Sequence, residues 1–134
     1  AYTGVEGLTL KYGFGDWGTQ TAGGESTTMS ASYAIGSFTA SASQSLSDSV
    51  AASTDVEVTS YQVAYTVSED ISLTYGTETF DKDASAVDEE VTGYGVSYTT
   101  GGMTISGSVI NAEGGLYAAG SETDKWSLTA AFAF

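Results

Sequence analysis

The 134-residue sequence predicts an all-β fold, an antiparallel up-and-down barrel that crosses a membrane with its strands. Three observations lead there. Segments of alternating apolar and small or polar residues recur along the chain, their connections alternate between short and long, and the last segment ends in an aromatic pair, Phe132 and Phe134. A period of two sends successive side chains to opposite faces of a strand.

The first strand, near 5–15, sets Leu8, Leu10, Tyr12 and Phe14 against Thr9, Lys11, Gly13 and Gly15. The second, near 27–35, sets Met29, Ala31, Tyr33 and Ile35 against Ser30, Ser32 and Ala34. The third, near 38–46, opposes Phe38, Ala40 and Ala42 to Thr39, Ser41 and Ser43. The fourth, near 57–67, opposes Tyr61, Val63, Tyr65 and Val67 to Gln62, Ala64 and Thr66. Ile71, Leu73 and Tyr75 alternate with Ser72, Thr74 and Gly76 in a fifth, near 71–80. Tyr94, Val96 and Tyr98 alternate with Gly93, Gly95 and Ser97 in a sixth, near 91–99. The seventh, near 103–111, has Met103, Ile105 and Val109 against Thr104, Ser106 and Ser108, with Gly107 interrupting the apolar row. The eighth, near 125–134, has Trp126, Leu128, Ala130, Phe132 and Phe134 against Ser127, Thr129, Ala131 and Ala133.

Short turns fall at Gly36-Ser37, Ser68-Glu69-Asp70 and Thr100-Gly101-Gly102, and long links near 16–26, 47–56, 81–90 and 112–124. Short turns on one side and long loops on the other is the layout of an outer-membrane barrel; a Greek-key sandwich has no reason to alternate so strictly. A hairpin-length repeat agrees: Ala1-Tyr2-Thr3, Ser32-Tyr33-Ala34, Ala64-Tyr65-Thr66 and Ser97-Tyr98-Thr99 each precede a short turn and a new strand. Since Ala1-Tyr2-Thr3 lacks the strand body before it, the repeat suggests that the sequence starts inside a longer protein.

Composition narrows the function. With 17 acidic residues and three cations (Lys11, Lys82, Lys125), the net charge is −14, which argues against nucleic acid and for a surface that attracts cations. No Cys or His is present, so thiolate and imidazole chemistry, nucleophilic or metal-binding, is excluded, and no carboxylate spacing specifies an acid–base pair. The sequence predicts no enzyme.

The two faces point to lipid. One is aliphatic and aromatic; the other is Ser, Thr, Gly, Ala and Gln with little charge apart from Lys11. A sheet facing water would carry interspersed Lys and Glu against edge pairing. Apolar outside and small polar inside suits a barrel in a bilayer. The predicted pore-lining residues are therefore Thr9, Lys11, Ser30, Ser32, Thr39, Ser41, Gln62, Thr66, Ser72, Thr74, Ser97, Thr104, Ser106, Ser127 and Thr129. Aromatic rings concentrate at bilayer interfaces. Tyr33, Tyr65, Tyr98, Phe132 and Phe134 are expected at the short-turn interface, and Phe14, Trp17, Phe80 and Trp126 at the other.

Residues 126–134, Trp-Ser-Leu-Thr-Ala-Ala-Phe-Ala-Phe, resemble the C-terminal strand of Gram-negative outer-membrane proteins. Residues 8–16 (Leu-Thr-Leu-Lys-Tyr-Gly-Phe-Gly-Asp) and 97–107 (Ser-Tyr-Thr-Thr-Gly-Gly-Met-Thr-Ile-Ser-Gly) resemble hairpins of general diffusion porins, closest in style to those of marine alphaproteobacteria. The resemblance implies a water-filled channel in the bacterial outer membrane for passive diffusion of ions and small hydrophilic solutes. It implies a homotrimer among lipid and lipopolysaccharide, and an insertion signal at Trp126, Leu128, Phe132 and Phe134 read by the barrel-insertion machinery. The family's usual 16 strands make these eight the C-terminal half. The small inward residues agree, since they would leave an eight-stranded interior unfilled. Acidic loops at the mouth predict a preference for cations.

Two other classes fit the alternation: a small closed eight-stranded anchor or adhesin, and a secreted β-rich fibre or surface-layer protein. No cofactor is expected. Asp81, Asp83, Asp88, Glu89 and Glu90 offer hard oxygen ligands for Ca²⁺ or Mg²⁺, without the spacing of an EF-hand; a solvated loop is the simpler reading.

Overall fold

A computed structural model describes residues 4–19, 22–49, 55–83 and 85–133. Eight strands follow one another: β1 (Leu8–Thr19), β2 (Ala22–Ile35), β3 (Phe38–Ser49), β4 (Val56–Thr66), β5 (Ile71–Lys82), β6 (Glu89–Thr100), β7 (Met103–Glu113) and β8 (Glu122–Phe132). A 3₁₀ turn, Gly115–Tyr117, lies between β7 and β8. Every strand pairs antiparallel with its sequence neighbour, giving one sheet in the order β1 to β8. Among the described residues β1 pairs only with β2 and β8 only with β7, so the up-and-down sheet is open.

The short turns are set by backbone chemistry. Ile35 pairs with Phe38 around Gly36 (φ 55°), and Thr100 pairs with Met103 around Gly101 (φ 54°) and Gly102 (φ 80°). Positive φ at the centre of a two-residue turn matches strand twist and is cheapest for glycine. The hairpin repeat has a hydrogen-bonded counterpart. Ala34, Thr66, Thr99 and Ala133 each follow the aromatic of their repeat, and each donates its backbone N–H to the neighbouring turn: to Gly7, Ser37, Asp70 and Gly102 at 2.8–2.9 Å. The aromatic thus marks the last side chain before the sheet rim.

At the opposite end the strands run further than the sequence predicts. β1 and β2 extend to Thr19 and from Ala22, through residues expected as a loop at 16–26. β5 continues to Lys82, β6 starts at Glu89, β7 ends at Glu113 and β8 starts at Glu122, each inside a predicted link. Acidic residues lower strand propensity, which hid these extensions. Here most of the carboxylates sit on alternate positions of the apolar face, beyond its band, where charge costs little; Glu89 takes the other face.

No hydrophobic side chain among the described residues is buried. Trp126 is 78% exposed, Leu128 70% and Tyr12 68%. A soluble sheet would bury such residues against a second layer. This one has its apolar side chains on the outside with nothing over them.

Candidate functional site

Register assigns every strand residue to a face, because directly paired residues project the same way. Leu8, Tyr33, Ala40, Val63, Tyr75, Tyr94, Val109 and Trp126 form one continuous row from β1 to β8. The exposed large hydrophobic residues all belong to this row's face, apart from Val5, Val67 and Ile110.

The apolar band on that face has parallel edges. Its upper edge runs from Phe14 in β1 through Tyr61, Tyr75 and Tyr94 to Trp126 in β8, whose row leads back to Leu8. Its lower edge falls from Leu8 to Phe132 by the same slide of about six residues. Six residues span ~20 Å along a strand, and seven strand spacings span ~34 Å, so the band crosses the strands at a tilt of roughly 30°. Spanning strands of outer-membrane barrels tilt by a similar amount, ~35–45°. A planar slab of lipid explains why the pattern slips steadily against the hydrogen-bonded rows.

Above the aromatics, Thr27, Gln44, Thr59, Thr77, Thr92 and Asn111 occupy the next outward position. Beyond them comes a layer of carboxylates: Asp16, Glu25, Asp48, Glu57, Asp81, Glu90, Glu113, Glu122 and Asp124. Many oppose one another directly, as in Asp16–Glu25–Asp48 and Glu90–Glu113–Glu122. Like charges facing each other across strands are destabilising, so this rim belongs in water with counterions. Neutralising the central member, Glu113→Gln, should stabilise the sheet by about 0.5–1 kcal/mol at low salt. In urea titrations the gain should fade as NaCl screens the row.

The second face is concave. Lys11 of β1, Ser30 of β2, Ser43 of β3, Gln62 of β4, Glu78 of β5 and Ile110 of β7 border one cavity of about 670 Å³. Hydroxyls bond across the strands of this face: Thr28 with Ser45 at 3.1 Å, Ser108 with Ser127 at 2.8 Å, and Ser60 donating to Glu78 Oε2 at 2.6 Å. Gly13, Gly76, Gly93 and Gly95 leave it without side chains over much of its middle. All fifteen residues predicted to line a pore lie on this face.

The register adds residues to this face that the sequence reading did not assign to it. Lys82 pairs with Val56 and Lys125 with Ile110, which puts all three lysines on the concave side. Glu78 and Glu89 are the strand carboxylates there among the described residues. Charge is therefore sorted by face: the lysines inward, most strand acids outward.

The aromatics need one correction. Tyr33, Tyr65, Tyr98 and Phe132 lie on the apolar face at the short-turn end, with Phe38 stacked on Tyr65 at 4.4 Å. Phe14 and Trp126 share that face at the other edge. Phe80 does not: it pairs with Val58 on the concave face, five positions from Tyr75 and so of opposite parity. Trp17 also takes the opposite parity to Phe14 in the backbone register; its side chain lies outside the described residues, as do Ala1–Thr3 and Phe134. The upper edge is held instead by Tyr61, Tyr75 and Tyr94, with the Tyr75 and Tyr94 rings 5.0 Å apart. The alternation already puts all three in the apolar rows; only the register shows that they form the band's edge.

The five carboxylates of 81–90 are not brought together. Asp81 and Glu90 project outward, Glu89 inward, and Asp83 and Asp88 lie in the connection. No group of three or more acidic side chains among the described residues is placed to hold a metal ion.

A family model for Gram-negative porins matches residues 2–134. No curated protein and no solved structure matches the chain.

Proposed function

The chain belongs to the Gram-negative porin family and so to a channel of the bacterial outer membrane; we propose that its concave face lines a water-filled passage for ions and small hydrophilic solutes. The observation that carries this reading is the pairing of faces. The convex side is a tilted apolar band with aromatic edges, and the concave side is mostly hydroxyl and glycine, with Lys11 and Glu78 as the charges that border its cavity. Hydroxyls bind permeating solutes weakly and exchange them with water, which favours passage over retention.

The reading extends to assembly. Among the described residues β1 and β8 have no strand paired on their outer sides, and open sheet edges are not tolerated in hydrocarbon. They favour a wall that continues into a wider barrel, as in the 16-stranded members of the family. A homotrimer, contact with lipopolysaccharide and delivery by the barrel-insertion machinery belong to the same proposal. Cation preference would come from acids of the connections, such as Asp55, Asp83 and Asp88, and from Glu78 and Glu89 on the wall.

Planar-bilayer recording of the full-length polypeptide tests this. The expected result is stepwise conductance that scales with bulk salt, with a reversal potential of cation sign in a KCl gradient. Absence of steps overturns the channel, and an anion-sign potential overturns the preference.

A further inference from the structure

Strand pairing strings five concave residues into one row. Lys11 of β1 pairs with Ser30 of β2, Ser30 with Ser43 of β3, Ser43 with Ser60 of β4, and Ser60 with Glu78 of β5. All five border the same cavity of about 670 Å³. The row thus opens in an ammonium, closes in a carboxylate and carries only hydroxyls between them. Ser60 donates to Glu78 Oε2 at 2.6 Å, which orients the carboxylate at the row's end. Four strand spacings separate the two charged positions, ~19 Å along the sheet, too far for Lys11 and Glu78 to pair with each other. The row also slants against the apolar band. Lys11 lies three residues short of Phe14, the band's upper edge on β1, whereas Glu78 lies three residues beyond Tyr75, its upper edge on β5. Glu78 therefore stands nearer the end of the long connections, and Lys11 deeper along the wall.

We propose that this row is a two-point subsite for short zwitterionic peptides, with the peptide's α-carboxylate at Lys11 and its α-ammonium at Glu78. The proposal rests on the concave face being the passage. An extended chain covers at most ~3.3–3.6 Å per residue, so four residues reach ~14 Å. A charge-assisted contact of ~3 Å at each end completes the span. The serine hydroxyls between the ends both donate and accept, as the peptide groups of a backbone require. A neutral sugar meets the hydroxyls but gains nothing from the two charges, and a single amino acid reaches only one of them.

Tetra-alanine tests the subsite, added to planar bilayers that hold the full-length polypeptide at low ionic strength. The reading is the peptide concentration that halves the potassium current. Solvated ion contacts contribute about two- to fivefold each, so free tetra-alanine should act at a concentration about four- to twentyfold below that of its N-acetyl, C-amide form. Alanine should show little advantage over its own capped form, because its two charges sit too close together to meet both ends of the row. Lys11→Gln and Glu78→Gln should each cut the tetra-alanine advantage by about two- to fivefold. The exchange Lys11→Glu/Glu78→Lys should restore it, since the peptide can then lie the other way round. Equal action of free and capped tetra-alanine in the parent overturns the proposal. So does an advantage that alanine matches, that survives both single variants, or that the exchange fails to restore. A parent without current steps overturns the channel reading instead.

Discussion

Leu128→Arg is expected to destabilise the protein in its membrane by about 2–4 kcal/mol, and Ser127→Arg, one residue away, by no more than about 1 kcal/mol. Leu128 projects from the middle of the apolar band, between Trp126 and Phe132, and pairs with Gly107, which gives it no covering side chain. Its 70% exposure in the isolated chain is exposure to hydrocarbon in place. A guanidinium there must snorkel or thin the bilayer. Ser127 projects from the other side of the strand, bonds to Ser108 at 2.8 Å and faces the concave wall, where a guanidinium stays hydrated. Urea unfolding of the two variants in lipid vesicles measures the difference. Equal losses would mean that the apolar face is not the lipid face. A soluble or fibrous role for this sheet predicts the reverse order, since there the hydroxyl lattice would be a packed interior.

That contrast was legible in the sequence because it depends only on parity. Leu128 and Ser127 differ by one step, and a period of two needs no knowledge of partners. The order of strands was equally accessible, because each short turn carries its own local signal at Gly36, Ser68–Asp70 or Gly101-Gly102. The upper limits of the strands were hidden for a physical reason. Glu25, Glu90 and Glu122 look like loop residues, yet each sits in a strand beyond the apolar band, where the outward face meets water. With β5 cut short at residue 80, Lys82 passed for a loop charge; Phe80 and Lys125 lay inside predicted strands, and parity counted from Tyr75 and Trp126 puts both on the polar face. The cation–π contact of Lys82 with Tyr117, with Nζ 5.5 Å from the ring centroid, lay beyond reach altogether, since it joins residues 35 positions apart that no periodicity relates.

The sorting of charge by face leads to the last expected result: Lys11→Glu should raise cation over anion permeability roughly fivefold, while Glu122→Gln leaves it nearly unchanged. Lys11 lies midway along β1 and borders the concave cavity. A unit charge acts on an ion ~8 Å away in water with about 0.5 kcal/mol, and the substitution reverses one positive charge to one negative. The two units together shift a cation by about 1 kcal/mol and an anion by as much the other way. Screening at 0.1 M salt roughly halves that difference of about 2 kcal/mol, leaving about fivefold in the permeability ratio. Glu122 is nearer the mouth, yet it projects outward, so the sheet lies between it and any ion in transit. At 0.1 M salt the Debye length is ~10 Å, comparable with that separation, and the outer carboxylates are muted. Reversal potentials in a KCl gradient at low ionic strength read both variants. A large shift in Glu122→Gln with none in Lys11→Glu would mean that the faces have been assigned the wrong way round. The net charge of −14 therefore does not fix selectivity by itself. Much of it is carried on the convex side, and the three lysines all take the concave one, so with a passage there they would weigh more than their number suggests.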